Sequence, residues 1–197
     1  MLLPIVDGRE HLNFRCTSCG NCCRELRVAV THLDVARLAQ STGDVAHMLV
    51  DWLGPDEVDM NSESASVVEL DVGRRLMVLA QHGGACRWLD DALRCRVYAA
   101  RPYDCRLYPF SIEPSRDGVS ASLSLLSLTA CEDTRDGRVS AAELAEDDHA
   151  RFVELAEYHA LVSRWNRLAR HRRRLGHRAR SAHEFHEFSG RLGRPER

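Results

Sequence analysis

The stretch Phe14-Arg-Cys-Thr-Ser-Cys-Gly-Asn-Cys-Cys-Arg24 carries four thiols within eight residues, at Cys16, Cys19, Cys22 and Cys23. The remaining cysteines are Cys86, Cys95, Cys105 and Cys131, so the full pattern is C-x2-C-x2-C-C, a gap, then C-x8-C-x9-C-x25-C. Small buried hydrophobes account for one or two cysteines, not for this spacing. C-x2-C puts two thiolates on one tight turn, and Gly20 can take a positive φ that turns backbone N–H groups towards sulfur. A third cysteine at the same interval gives three legs on one loop. A 4Fe–4S cluster uses that arrangement, with a fourth thiolate from elsewhere. Zinc more often takes two separated C-x2-C pairs but tolerates irregular spacing, so the pattern leans towards iron–sulfur and leaves zinc open. Adjacent side chains at Cys22 and Cys23 are expected to point different ways, one of them serving a second site or staying spare. Eight thiols suffice for two four-thiolate sites. One arrangement uses Cys16, Cys19, Cys22 and Cys105 and leaves Cys23, Cys86, Cys95 and Cys131. His82, four residues before Cys86, could replace a thiolate, although a polar surface histidine is the commoner case.

The compartment decides between metal and disulfide. The N-terminus, MLLPIVDGRE, has a short apolar stretch broken by Pro4 with no preceding cation, which is the wrong form for a signal peptide. No apolar run approaches the 18 or so residues of a membrane span. A cytoplasmic protein without a membrane partner is expected, and in a reducing cytosol clustered cysteines are metal ligands or redox groups. Every cationic side chain is Arg, with no Lys anywhere, so Schiff-base and lysine-nucleophile chemistry is excluded.

The middle segment reads Cys95-Arg-Val-Tyr-Ala-Ala-Arg-Pro-Tyr-Asp-Cys-Arg-Leu-Tyr-Pro-Phe110. Pro102 and Pro109 fix the backbone on either side of Cys105. Arg101 and Arg106 flank that thiol and are suited to offset the charge of a thiolate site and to hydrogen-bond its sulfurs. Tyr98, Tyr108 and Phe110 are candidates to wall it from water, and ordinary core and turn roles suit them equally.

Elsewhere, residues 31–40 read as a helix, with Thr31 and Asp34 as a capping-box pair. Asp44 opens a second helix carrying Val45, Met48, Leu49 and Leu53 and stopped by Gly54-Pro55. Residues 56–66 form an acidic loop. Residues 67–72 and 76–80 are strands around a Gly73 turn, and 119–125 alternates as a half-buried strand. Ser140 and Glu143 open a long helix whose Tyr158, Leu161, Trp165, Leu168 and Leu175 make an apolar stripe expected to pack on the body.

Residues 1–150 carry 15 Arg against 24 Asp and Glu, net -9, whereas 151–197 carry 12 Arg against 5 Glu, net +7. Arg167, Arg170 and Arg174 share a helical face with Arg164 and could touch phosphates weakly. A solvated helix end, where cations suit the dipole, explains them as well, and no nucleic-acid partner is expected. His183 and His186 have the spacing of a metal pair on a helix but lie in a polar tail, where solvated side chains are expected.

The motif Phe14-x-Cys-x2-Cys-Gly-x-Cys-Cys23, with Gly84-x-Cys86, Cys95-x2-Tyr98-x2-Arg-Pro-x2-Cys-Arg-x-Tyr-Pro-Phe110 and Cys131, resembles the YkgJ-type cysteine-cluster family over about residues 14–131. The resemblance implies a domain that chelates zinc or iron through the matching cysteines and implies no reaction. A related cluster occurs in flagellin lysine N-methylases, which makes a protein methyltransferase-like enzyme the alternative. No Gly-rich nucleotide loop follows a strand, and the C-x3-C-x2-C spacing of radical enzymes is absent.

The expected fold is α+β: a small metal-stabilised cysteine-cluster domain with a short β-sheet, two short N-terminal helices and a long C-terminal helix. Its divisions are a metal-binding domain over 1–138, a helical extension packing on it over 139–175, and a basic flexible tail over 176–197. The expected function is metal binding through Cys16, Cys19, Cys22, Cys23, Cys86, Cys95, Cys105 and Cys131, in a structural, redox or metal-handling role.

Overall fold

The computed structural model describes residues 11–12, 14–17, 19–114, 121–126 and 139–192. In chain order the elements are β1 His11–Leu12, α1 Asn21–Glu25, α2 His32–Thr42, a 3-10 turn Ala46–Met48, β2 Val50–Leu53, β3 Val67–Leu70, β4 Gly73–Leu79, β5 Gln81–His82 and β6 Ala85–Cys86. There follow a second 3-10 turn Tyr98–Ala100, α3 Tyr103–Leu107, β7 Phe110–Pro114, β8 Ala121–Leu125, β9 Val139–Ser140, α4 Ala141–Arg174 and α5 Ala182–Leu192. The α+β class holds: the described strands pair antiparallel, and a long helix lies towards the C-terminus. The chain divides into two compact units, Met1–Leu26 with Trp88–Val153 and Arg27–Arg87 with Glu154–Arg197.

In the first unit, β1 pairs with β9 and β7 with β8, the latter being the strand expected at 119–125. Its core is Phe14, Leu107, Phe110 and Leu144, with Ile112, Leu123 and Val139 packed against it. Phe14 meets Phe110 edge to face, ring centroids 5.2 Å apart. Because Phe14 stands two residues before Cys16 and Leu107 two after Cys105, burying these side chains anchors both thiol-bearing segments.

In the second unit a three-stranded sheet has the order β2-β4-β3. The capping box of α2 forms as read: the Asp34 N–H donates to Thr31 Oγ1 and the Thr31 N–H to Asp34 Oδ2. Arg37 carries that cap to α4 through Glu154 Oε1 at 2.6 Å. The helix expected from Asp44 to Leu53 is instead the 3-10 turn followed by β2, which pairs Val50–Leu53 with Leu79–Leu76. The i, i+3, i+4 apolar spacing misleads here, because Val50, Trp52 and Leu53 satisfy their backbone on β4, while Val45 and Met48 remain exposed. The two short N-terminal helices are therefore α1, inside the cysteine motif, and α2. The turn between β3 and β4 falls on Asp71-Val72, with Leu70 facing Gly73.

As an outer strand, β3 presents an edge whose backbone groups need partners. Side chains of α4 supply them. Trp165 Nε1 donates to the Glu69 carbonyl at 2.8 Å. Asn166 accepts from the Glu69 N–H at 2.9 Å and donates to the Val67 carbonyl at 2.8 Å, mimicking a strand peptide. Tyr158, Leu161 and Trp165 are buried as the stripe predicts, whereas Leu168 and Leu175 are exposed.

The flexible tail expected from 176 is corrected over 182–192, which form α5. Ser181 and Glu184 close a capping box at its start, the Ser181 N–H donating to Glu184 Oε2 and the Glu184 N–H to Ser181 Oγ. Phe185 is fully buried between the rings of Trp52 and Trp165. Burying Phe185 offsets the cost of ordering this charge-rich segment. The last five residues, 193–197, lie outside the described ones.

His186 packs at the Trp52 ring rather than in solvent. Burial pushes its pKa down to about 4, and the charges of His47 and His183 act in the same direction. An imidazole whose folded pKa lies below its unfolded value destabilises the fold as pH falls. Stability is full above the unfolded value near 6.5, declines between there and about 4, and is lowest below that. Because the ring is partly solvated, the loss is expected to be on the order of 1–2 kcal/mol. Urea denaturation at pH 7.5 and pH 4.5 should show a slope that His186→Gln reduces.

Candidate metal centre

The cysteine loop turns at a left-handed glycine. Gly20, at φ 70°, precedes α1, and the Cys23 N–H returns to the Gly20 carbonyl at 3.1 Å. A Cβ at Gly20 would lie 3.2 Å from Arg24 Nη1 and 3.3 Å from Leu89 Cδ1. Left-handed backbone costs an L-residue about 1–2 kcal/mol, and the two contacts add to it. Gly20→Ala should lower the unfolding free energy by about 2 kcal/mol in denaturant titration.

Arg24 closes the loop. Its Nη2 donates to the Cys19 carbonyl at 2.9 Å and to Asn21 Oδ1 at 2.7 Å. The sequence reading missed Arg24, although a cation directly following Cys22-Cys23 was a visible signal.

The seven described cysteines carry thiols rather than disulfides; Cys131 lies outside the described residues. Cys16 is exposed, and Cys19, Cys22, Cys23, Cys86, Cys95 and Cys105 are half-buried. Cys22 and Cys23 do not point apart as expected. The Cys23 side chain hydrogen-bonds the Cys22 sulfur and is the main cause that lowers the Cys22 pKa to about 6. Burial opposes the shift, while the backbone N–H groups of Cys23 and Cys22 and the charge of Arg101 support it. The loop thus favours a thiolate at Cys22.

The turn bearing Cys95 neighbours this loop. Leu89, which packs on Gly20, forms a β-bridge with Cys95, and the Arg96 N–H donates to the Trp88 carbonyl at 2.9 Å. Cys105 sits on α3, its N–H donating to the Pro102 carbonyl at 3.0 Å. Cys86 lies on β6 in the second unit. There Arg87 ties the hairpin to the Met48 carbonyl and to Asp44. His82 is exposed on the same hairpin.

Of the flanking residues, Arg101 acts on Cys22 and lies over the Tyr98 ring at 3.8 Å. Tyr98 is 58% exposed, so it does not seal a site. Arg106 donates to the carbonyls of Arg101 and Ala99 and to the Asp147 carboxylate. Tyr108 is half-buried and Phe110 belongs to the core.

In chemistry the donors fit a thiophilic metal: half-exposed thiols on braced turns, one of them predisposed to ionise, beside a guanidinium. Among the described residues, no three His, Cys, Asp or Glu side chains converge into a group able to hold a metal ion. His183 and His186 form no such pair, His183 being exposed and His186 packed on Trp52. Among the described residues no helix is long and apolar enough to cross a membrane.

Fold and donors together define a cysteine-cluster domain of α+β architecture. The chain belongs to the CxxCxxCC family, whose model matches residues 15–134 and whose description reads "Putative zinc- or iron-chelating domain". It is also similar to the uncharacterized protein MJ0661 of Methanocaldococcus jannaschii, 26% identical over 145 residues, which are 72% of this chain and 67% of that protein. No solved structure matches the chain.

Proposed function

We propose that the chain is a cytosolic metal-binding protein in which Cys16, Cys19, Cys22 and Cys105 take up the metal, with a 4Fe–4S cluster favoured over zinc. The observation that carries this is the run of three thiols at C-x2-C-x2-C on a loop braced by Gly20 and Arg24, beside the cationic Arg101. All four donors belong to the first unit. Metal binding deprotonates the thiols it takes up, so their side chains are expected to gather on the metal rather than before it. Cys23 serves the loop by donating to Cys22. When bound, the cluster would supply structural cross-linking or one-electron chemistry. Metal handling is the remaining role for the same thiols.

Anaerobic purification followed by iron, zinc and acid-labile sulfide analysis tests the reading. A brown protein with broad absorption near about 400 nm, bleached by dithionite, is expected from thiolate-to-iron charge transfer. A colourless preparation with stoichiometric zinc and no sulfide would replace the cluster with zinc. All thiols titrating without bound metal would remove the function.

Two other readings of the chain are a methylase-like enzyme and weak nucleic-acid binding. For nucleic-acid binding, Arg170 is paired with Glu69 at 2.7 Å and Arg173 reaches the same carboxylate at 3.5 Å, leaving the exposed Arg167 and Arg174 as the open part of the stripe. Weak, steeply salt-dependent association is the most this arrangement supports.

A further inference from the structure

We infer that Arg24 is a positioning residue for the metal loop: its guanidinium clamps the C-x2-C turn in the arrangement from which the thiols bind. The inference rests on the metal-binding reading above and adds a residue outside the donor set. Three observations carry it. Nη2 of Arg24 is shared between the Cys19 carbonyl and Asn21 Oδ1, so one planar group holds the backbone between the second and third thiols. The space beneath it is kept open by Gly20, where an added Cβ would approach Nη1 to 3.2 Å. Arg24 also stands on α1, directly after Cys22-Cys23, so its clamp ties the residues that carry the third and fourth thiols back to the one that carries the second.

The geometry defines the chemistry required. A guanidinium is planar, permanently charged and rigid, and can serve two acceptors at once. A lysine ammonium keeps the charge but not the plane. A clamp set in the backbone lowers the conformational entropy lost when the metal gathers the sulfurs. It also places a fixed positive charge beside a site that becomes anionic when its thiols ionise.

The test uses the full chain, reduced and metal-free, with Zn2+ alone as the probe in competition against a chromophoric chelator. Arg24→Ala is expected to weaken zinc binding by about 10–100-fold, the range for partners that orient a ligand from outside the donor set. Arg24→Lys should recover only a minor part of that loss, and Asn21→Ala should fall between Arg24→Ala and wild type. Hydrogen exchange over residues 19–26 should be faster in metal-free Arg24→Ala than in wild type, with the thermal melt unchanged. Wild-type affinity in Arg24→Ala would overturn the inference. Full rescue by Arg24→Lys would overturn it too, because charge alone would then suffice. If Arg24→Ala does not fold, Arg24→Lys and Asn21→Ala carry the comparison. If the wild-type chain takes up no zinc, zinc is excluded as its metal, and the iron and sulfide analysis above decides the metal-binding reading separately. Exchange over 19–26 then decides on the clamp: faster exchange in Arg24→Ala upholds it, and unchanged exchange overturns it.

Discussion

Serine at position 19 is expected to abolish tight metal uptake and, with it, the stabilisation that metal gives the fold. Cys19 lies at the point where Arg24 fastens the loop, and Cys19→Ser preserves size and backbone. A serine hydroxyl is not deprotonated at neutral pH, so one anionic donor is lost from the set. Affinity should fall by more than about a hundredfold, beyond what displacing a supporting residue costs. Metal that binds the folded chain and not the unfolded one contributes about 4 kcal/mol at a thousandfold excess over its dissociation constant. For a chain of this size that is roughly 8–16 °C in melting temperature. The wild-type protein should therefore melt lower by that amount in chelator, while the melt of Cys19→Ser should be the same with and without chelator. Cys105→Ser should behave like Cys19→Ser, because it supplies the fourth thiolate in the proposed set. A wild-type chelator shift that persists in both variants would assign the metal to other residues.

How far such a site can be read from sequence depends on the range of the interactions involved. The thiol loop is local: three thiols at two intervals of two residues and a glycine announce it, and Gly20 takes the positive φ that the reading required. The Thr31–Asp34 cap is equally local, and its hydrogen bonds form as read. What failed was decided by partners far along the chain. Val50–Leu53 has the apolar spacing of a helix turn, but β4, more than twenty residues later, offers a backbone edge that residues 44–53 themselves do not announce. Cys22 and Cys23 were expected to diverge as neighbours in the chain; rotamer freedom still lets one sulfur reach the other. The tail carried the signs of a helix, with Ser181-x-x-Glu184 followed by Phe185 and Phe188. Its charge density concealed them because the aromatic surface that pays for ordering it, Trp52 and Trp165, lies elsewhere in the sequence.

Trp165→Ala is expected to be the most damaging single change in the second unit. The side chain is fully buried and touches three different parts of that unit. Its ring meets Phe185 edge to face at 5.3 Å and Phe188 at 5.4 Å, Arg180 lies over it at 5.0 Å, and its Nε1 donates to the Glu69 carbonyl on the outer edge of β3. Truncation to alanine removes the ring, leaves a cavity under α5 and strips the strand edge of a donor, for a combined loss of about 3–5 kcal/mol. Trp165→Phe separates these effects. It keeps most of the apolar surface but loses the indole donor, so it should cost about 1–3 kcal/mol for the orphaned carbonyl and the smaller ring. Asn166→Ala probes the same edge without a large cavity, removing the partners of the Glu69 N–H and the Val67 carbonyl. Urea unfolding of the three variants should rank them with Trp165→Ala lowest, and Trp165→Ala should expose α5 to limited proteolysis before the sheet unfolds. A Trp165→Ala variant within about 1 kcal/mol of wild type would show that the ring is not what joins α4 and α5 to the sheet.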